Sequence, residues 1–179
     1  MPSLHPLSSQ KHDAIEELLD AAFGQDRHSR TAYIIRRGTN WIASFSYAAI
    51  DDDGAFVGLL QSWPVMLRNE ETGIQTPLIM VGPVAVSPHH QGGGIGRMLM
   101  DRLVEDADLS ADAPLMMIGD PEYYGRFWNF TAQATSQWSA PGPVEAHRLL
   151  SRDIACKPPL DLHLSGMLSP RQIIAADIR

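Results

Sequence analysis

Between Val81 and Met100 the chain reads Val-Gly-Pro-Val-Ala-Val-Ser-Pro-His-His-Gln-Gly-Gly-Gly-Ile-Gly-Arg-Met-Leu-Met, and few folds accommodate such a run. Val81, Val84, Ala85 and Val86 are small or β-branched, as in a strand buried on both faces. Ser87-Pro88 ends it. From Ile95 onward the apolar residues fall at Ile95, Met98, Leu99, Leu103 and Ala107, a helical spacing. Between strand and helix stand Gly92, Gly93, Gly94 and Gly96, which have no side chains to cover the main chain. The first N–H groups of a helix lack intrahelical acceptors and sit at the positive end of its dipole. Such a turn binds phosphate oxygens.

The spacing selects among phosphate-binding turns. A P-loop requires Lys-Ser or Lys-Thr after its last glycine, and no lysine follows this turn. The dinucleotide pattern Gly-x-Gly-x-x-Gly fails at Arg97, and no acidic residue closes a following strand roughly 20 residues on. What remains is Gln91-x-x-Gly94-x-Gly96 after a Val-Ala-Val strand and a Pro88-x-x-Gln91 turn. This resembles the acetyl-CoA-binding motif of the GNAT superfamily of N-acetyltransferases. The resemblance implies that main-chain groups of Gln91, Gly92, Gly93, Gly94, Ile95, Gly96 and Arg97 hold the coenzyme A pyrophosphate. It also implies that groups around Val84, Ala85 and Val86 pair with the pantetheine arm and polarise the thioester carbonyl. Pro83 has no N–H to give, so useful donors follow it.

The rest of the chain suits an α+β domain. Ser9 to Phe23 carries one apolar stripe of Ile15, Leu18, Leu19, Ala22 and Phe23; this predicts a helix capped by Ser8 or Ser9 and ended by Gly24. A second, short helix is expected over 31–37, beside Arg27, Arg30, Arg36 and Arg37, a cluster that could face an anionic acceptor or a coenzyme phosphate but more often forms a solvated face. Trp41 to Ile50 alternates as a strand, Asp51-Asp-Asp-Gly54 is a hairpin turn, and Phe56 to Leu67 returns, with Gly58 suggesting a bulge. After the turn at Asn69–Gly73 another strand enters the central motif. Hairpins ahead of the glycine turn argue against a βαβ dinucleotide domain. The expected fold is a GNAT-like mixed sheet: an antiparallel meander, then two splayed parallel strands, with helices on both faces. Pro114 to Gly119 supplies the second parallel strand through a right-handed crossover.

Gly119-Asp-Pro-Glu-Tyr-Tyr-Gly-Arg-Phe127 then opens a helix, with Asp120 as N-cap and Pro121 at its first position. The segment resembles Gly-Asp-Pro-x-Tyr-Tyr-x-Arg-Phe-Gly-Phe of a YhbS-like bacterial branch of the superfamily. In the wider superfamily a tyrosine of this helix protonates the departing coenzyme A thiolate; the resemblance makes Tyr124 the matching position, with Tyr123 as the spare. The sequence departs at Phe127-Trp-Asn-Phe130, where a bulky Trp128 in place of a tight turn is expected to reshape the acceptor pocket. A loop over 138–143, a strand over 147–154 and a final helix over 169–178, capped by Ser169 with Pro170 at its first position, complete the reading. Residues 1–155 form one domain, and 156–179 an extension that packs on it or at a dimer contact.

At 179 residues the chain is about one domain long. A net charge of −7 disfavours nucleic-acid and anionic-membrane partners. No stretch is long and apolar enough to span a bilayer, and a cytoplasmic location is expected. Cys156 is the only cysteine, which excludes an internal disulfide and a multi-cysteine zinc site. Apolar residues after Asp51–Asp53 rule out a calcium loop, and His89-His90 are read as loop residues, so no metal is expected. The resemblance therefore implies direct attack by an amine on acetyl-CoA in a ternary complex, as a monomer or homodimer. The acceptor is a small-molecule amine or a protein. No carboxylate lies in 74–86 to serve as base; Glu70, Glu71, Asp120 and Glu122 remain as water-relayed alternatives. An acyl-CoA sensor that does not use Tyr124, and a nucleotide-binding α/β protein, are the other classes open to such a turn.

Overall fold

The computed structural model describes residues 1–173. Its centre is an eight-stranded sheet in the order β1-β2-β3-β4-β5-β7, with β8 beside β3 and β6 beside β8. In chain order the elements are β1 (Ser3–Pro6), α1 (His12–Phe23), α2 (Thr31–Ile35), β2 (Tyr47–Ile50), β3 (Phe56–Arg68) and β4 (Gln75–Val86). Then follow α3 (Ile95–Ser110), β5 (Leu115–Ile118), α4 (Pro121–Trp128), β6 (Trp138–Ser139), β7 (Leu149–Arg152) and β8 (Gly166–Pro170). The meander, the crossover through α3 and the mixed sheet agree with the fold expected from the sequence.

Side-chain alternation along β3 divides the core between the two faces. Leu60 joins Ile79, Val81, Leu115 and Met117 beneath the α3 residues Ile95, Leu99, Leu103 and Ala107. Leu59 points the other way, with Ala48 and Ala85, against Ile15, Leu18 and Leu19 of α1. Each of the leucine, isoleucine, valine and methionine side chains among these contributes about 1.5–3 kcal/mol when fully buried, relative to exposure. Gly58 lets α3 approach closely, since a Cβ there would stand 2.8 Å from Ile95 Cγ2. The expected bulge lies beside it: Ala49 opposes Gly58 while Ile50 opposes Phe56, leaving Val57 as the extra residue.

A second irregularity shapes the site. Leu60 pairs with Val84 but Ser62 with Val81, so Gly82 and Pro83 together face Gln61 alone. Gly and Pro inside a strand mark such a bulge. Gly82 has φ 115° and its bond to Pro83 is cis. Because of the extra residue, Val84 and Val86 stay on the α3 face with Val81 and Ile79. Parallel pairing of β4 with β5 covers only Ile79–Leu115 and Met80–Met116. Beyond Met80 the two strands diverge.

Several boundaries differ from the sequence reading. An edge strand, β1, precedes the first helix and pairs with β2; four residues are too few for periodicity to register. Helix α1 starts at His12 with Lys11 as N-cap and no side-chain cap; Ser9 Oγ donates to Pro6 O instead. The alternating run from Trp41 becomes a strand only at Tyr47, because residues 43–45 coil into a 3-10 turn that seats Phe45 in the core. Trp138–Ser139, expected in a loop, forms a short strand on β8, and β7 is shorter than its expected 147–154 span. No final helix begins at Ser169: Ser169 and Pro170 lie in β8, opposite Met66 and Val65 of β3. An open edge of β3 outcompetes a helical turn there, since the ladder satisfies the backbone and buries Leu168 at 1% exposure. Residues 174–178 of the expected helix lie outside the described residues.

Candidate active site

The glycine turn stands at the end of β4, below the first turn of α3. Gly92 (φ 83°) and Gly94 (φ 79°) are left-handed, and nothing lies within 4 Å of a Cβ placed on either. Gly94 is the N-cap of α3 and has no side chain to satisfy the helix. The first bond of the helix is Met98 N–H to Gly94 O at 3.0 Å. The N–H groups of Ile95, Gly96 and Arg97 therefore precede any intrahelical acceptor and point out of the helix start. Gly96 packs over Val86 and Val84, 3.8 and 4.0 Å from its would-be Cβ. Gln91, Gly92, Gly93 and Gly94 are exposed, and Ile95 is buried as the anchor. Arg97 lies over the Phe127 ring at 4.5 Å, at the junction of α3 and α4. The turn thus presents exposed, uncovered main chain and the free N–H groups of a helix start.

The splay between β4 and β5 leads away from the turn. Ser87 N–H donates to Val57 O at 2.8 Å, so by alternation Ala85 also faces β3 while Val84 and Val86 turn N–H and C=O toward the gap. Of the three β4 residues expected to meet a pantetheine arm, two turn backbone groups to the gap. Ala85 instead fills the α1 face.

A cavity of about 1000 Å³ opens at the other end of the gap. Its floor is Met80 to Val84 of β4 with Met117 and Ile118 of β5, and Tyr124 stands in its wall. Helix α4 starts where β5 ends, and Asp120 caps it by accepting from Glu122 N–H at 2.9 Å. This sets Tyr124 one turn in, with its ring against Gly119; a Cβ on Gly119 would lie 2.7 and 2.8 Å from ring carbons Cδ2 and Cε2. Tyr124 also meets Trp128 and Phe130, at 5.7 and 6.3 Å between centroids. Its hydroxyl has no hydrogen-bond partner among the described residues. Burial, helped by Tyr123 and Asp120, pushes its phenol pKa up against the opposing pull of Arg148, so it holds its proton through neutral pH. Tyr123 is 42% exposed and does not line the cavity.

Trp128 does not reshape the pocket as expected. It is 4% exposed, lies within the core and donates from Nε1 to Asp101 of α3 at 2.7 Å. The left-handed turn that a glycine would have made falls to Asn129, at φ 59° and ψ 30°. Asparagine is among the few residues that accept this conformation.

The arginine cluster divides: Arg30 and Arg37 are exposed, as in a solvated face, while Arg27 and Arg36 are buried. Arg27 is 2% exposed and pairs with Glu16 and Asp20 of α1. Arg36 is 5% exposed, lies between the rings of Tyr33 (4.0 Å) and Trp63 (4.2 Å), and donates to Gly82 O at 2.8 Å. It thereby braces the β4 bulge. Tyr33 lies three residues before Arg36 at the end of the same helix, but Trp63, on β3, carried no sequence signal for this. The bulge itself did, through Gly82-Pro83.

Other expected or rival groups fall elsewhere. Glu70 and Glu71 sit in the β3–β4 turn, at the far end of β4 from the glycines, and Asp120 is engaged as a cap. Glu145 is the one carboxylate among the residues lining the cavity. Cys156 places its thiol by the carbonyls of Ala107 and Ala111 at the end of α3, away from the gap. His90 Nε2 lies 3.4 Å from Asp51, and among the described residues no group of three His, Cys, Asp or Glu is placed to hold a metal ion.

Residues 3–128 match the family model described as an acetyltransferase (GNAT) domain. An Escherichia coli (strain K12) protein named uncharacterized N-acetyltransferase YhbS is 25% identical over 113 residues, 63% of this chain. The chain spans 64% of the length of the curated relatives it matches. A crystal structure of YhbS from Escherichia coli in complex with CoA has a TM-score of 0.67 at 20% identity, covering 96% of this chain and 89% of that one. A probable N-acyltransferase from Enterococcus faecalis V583 has a TM-score of 0.55 at 15% identity, covering 74% and 33%. At such identities the two structures speak for the fold. With the family model matching more than half of its length, this chain belongs to the GNAT superfamily of acetyltransferases.

Proposed function

We propose that this protein is an N-acetyltransferase that moves an acetyl group from acetyl-CoA to a primary amine by direct attack in a ternary complex. One observation carries the reading: an open glycine turn, a gap faced by backbone groups of Val84 and Val86, and a cavity walled by a protonated, unpartnered Tyr124 follow one another along β4 and the start of α3. Pyrophosphate in the turn and pantetheine in the gap would bring the thioester to the β4 bulge. Val84 N–H would then polarise the carbonyl as negative charge develops on its oxygen. Tyr124 would donate its proton to the departing sulfur. The neutral amine attacks the carbonyl carbon, the C–S bond breaks, and the amine's proton leaves to a base. The CoA bound in the YhbS structure supports the choice of coenzyme. A small-molecule acceptor suits a concave, open-mouthed cavity of about 1000 Å³ better than a flat protein surface does.

Calorimetric titration with acetyl-CoA, using Gly94→Glu as control, tests the coenzyme site. Binding near the micromolar range, lost in the variant, is the expected result; no binding to the wild type up to millimolar concentration overturns the reading. Tyr124→Phe separates enzyme from sensor. As a general acid its loss should cost about 10²-fold or more in kcat with coenzyme affinity unchanged. Equal turnover in Tyr124→Phe would remove Tyr124 from the chemistry.

A further inference from the structure

The cavity beyond Tyr124 is cationic in a protein that carries a net charge of −7. Four arginines line it: Arg27, Arg30, Arg36 and Arg148. Only Arg27 is neutralised, by Glu16 and Asp20. Among the described residues no carboxylate lies within 4.0 Å of the guanidinium of the other three. Arg30 donates to Phe23 O at 2.8 Å, and Arg148 makes a long 3.4 Å contact with Gly119 O. Arg36 is the telling one. It is 95% buried against two aromatic rings, spends one donor on Gly82 O, and has no anion beside it.

A buried charge without a counter-ion is costly. Burial lowers the Arg36 pKa to about 10, yet it stays protonated at neutral pH. Aromatic faces recover part of the cost. Guanidinium groups matched to an anion form strong, directional, often two-pronged bonds. At the cavity's rim stands one opposite charge, Glu145, whose side chain is 69% exposed with His147 Nε2 3.5 Å from its carboxylate. The cavity's arginines and this single carboxylate therefore offer complementary partners for a ligand that bears both an anion and an ammonium.

Building on the acetyltransferase reading, we propose that the acceptor is a small amine that also carries an anionic group, carboxylate or phosphate. Arg36, Arg148 and Arg30 receive the anion, and Glu145 receives the ammonium and then its proton. The three arginines bind; they do not take part in bond making.

The test uses matched acceptors with thiol release as readout: amino acids and aminoalkyl phosphates against the carboxamides and plain amines of the same skeleton. Anionic members should exceed their neutral counterparts by about ten- to hundred-fold in kcat/KM, the worth of a hydrogen bond to a charged group. Arg148→Gln and Arg30→Gln, both at exposed positions, should erode that ratio mainly by raising the acceptor KM. Arg148→Lys should restore part of it. Neutral acceptors working as well as anionic ones, or an unchanged ratio in both variants, would overturn the proposal while leaving the enzyme intact. Calorimetry of the same ligands on the CoA-loaded protein separates the two readings. Anion-dependent binding that is weakened in Arg148→Gln, without turnover, upholds the site and sinks the acetyltransferase. Absence of binding by either series overturns the site.

Discussion

At the scale of single residues, two glycines serve opposite purposes. Gly94 is needed because its φ is positive, and the space around it is open. Gly119 has an ordinary φ and is needed because Tyr124 occupies the volume a methyl group would take. Gly119→Ala should therefore displace the Tyr124 ring while leaving the coenzyme turn alone. A shift of about 1 Å near the reacting atoms costs on the order of 10²-fold in rate, so steady-state kinetics should show kcat falling by about ten- to hundred-fold with the acetyl-CoA KM little changed. If kcat holds, the ring does not govern the chemistry. Asn129 is the counterpart at the end of α4. Asn129→Gly should be tolerated, whereas Asn129→Ala should lose about 1 kcal/mol, a fall of about 2–4 °C in Tm for a chain of this size. Equal melting of the two variants would contradict the left-handed turn.

At the scale of elements, α3 is what ties the two ends of the cleft together. Its start holds the glycine turn. Its middle docks α4 through Asp101 and Trp128. Its last turns hold β7, where Arg152 grips Asp108 with two bonds of 2.8 Å and reaches Trp128 O at 2.8 Å. Arg152 and the Ala155 N–H hold the Asp108 carboxyl below the usual carboxylate range. A depressed folded pKa contributes stability above the unfolded value, about 3.9, and that contribution is lost as pH falls through the folded value. Asp108→Asn should thus lower Tm most at neutral pH, and its gap from the wild type should close below about pH 4. A gap that stays constant down to pH 3 would show that the ion pair is not the source. Tyr47 adds a further tie, donating to Asp106 at 2.7 Å, so α3 is fastened to the sheet by polar contacts as well as by its apolar stripe.

At the scale of the whole molecule, the described part of the tail is built into the sheet. β8 pairs with β3 over Val65–Arg68, on the edge that β2 leaves open. Leu168 packs there with Val65, Leu67, Trp138 and Leu149. Leu168→Ala should cost about 2–5 kcal/mol, as for other fully buried leucines, measured by denaturant unfolding. A loss below about 1 kcal/mol would mean that the tail is peripheral. The same apolar cluster backs Met80 and Met116, the last pair before β4 and β5 separate, so stability here and the shape of the gap are coupled.

The strand–turn–helix at Val81–Met100, the capped helix at Asp120 and the order of hairpins before the glycines were all legible in the sequence. Each is local: a period, a cap or a run of glycines acts on residues next to it in the chain. The fold class followed from their order. Tertiary structure alone decided that Arg36 is buried between Tyr33 and Trp63, that Trp128 belongs to the core, and that Ser169-Pro170 pairs with β3 instead of starting a helix. These outcomes depend on partners that no spacing brings together, and an open sheet edge or an aromatic slot has energy enough to override a local preference. The glycine turn and the capped helix were therefore readable residue by residue. The arginine-lined cavity, assembled from α2, the β4 bulge and the approach to β7, became visible only in three dimensions.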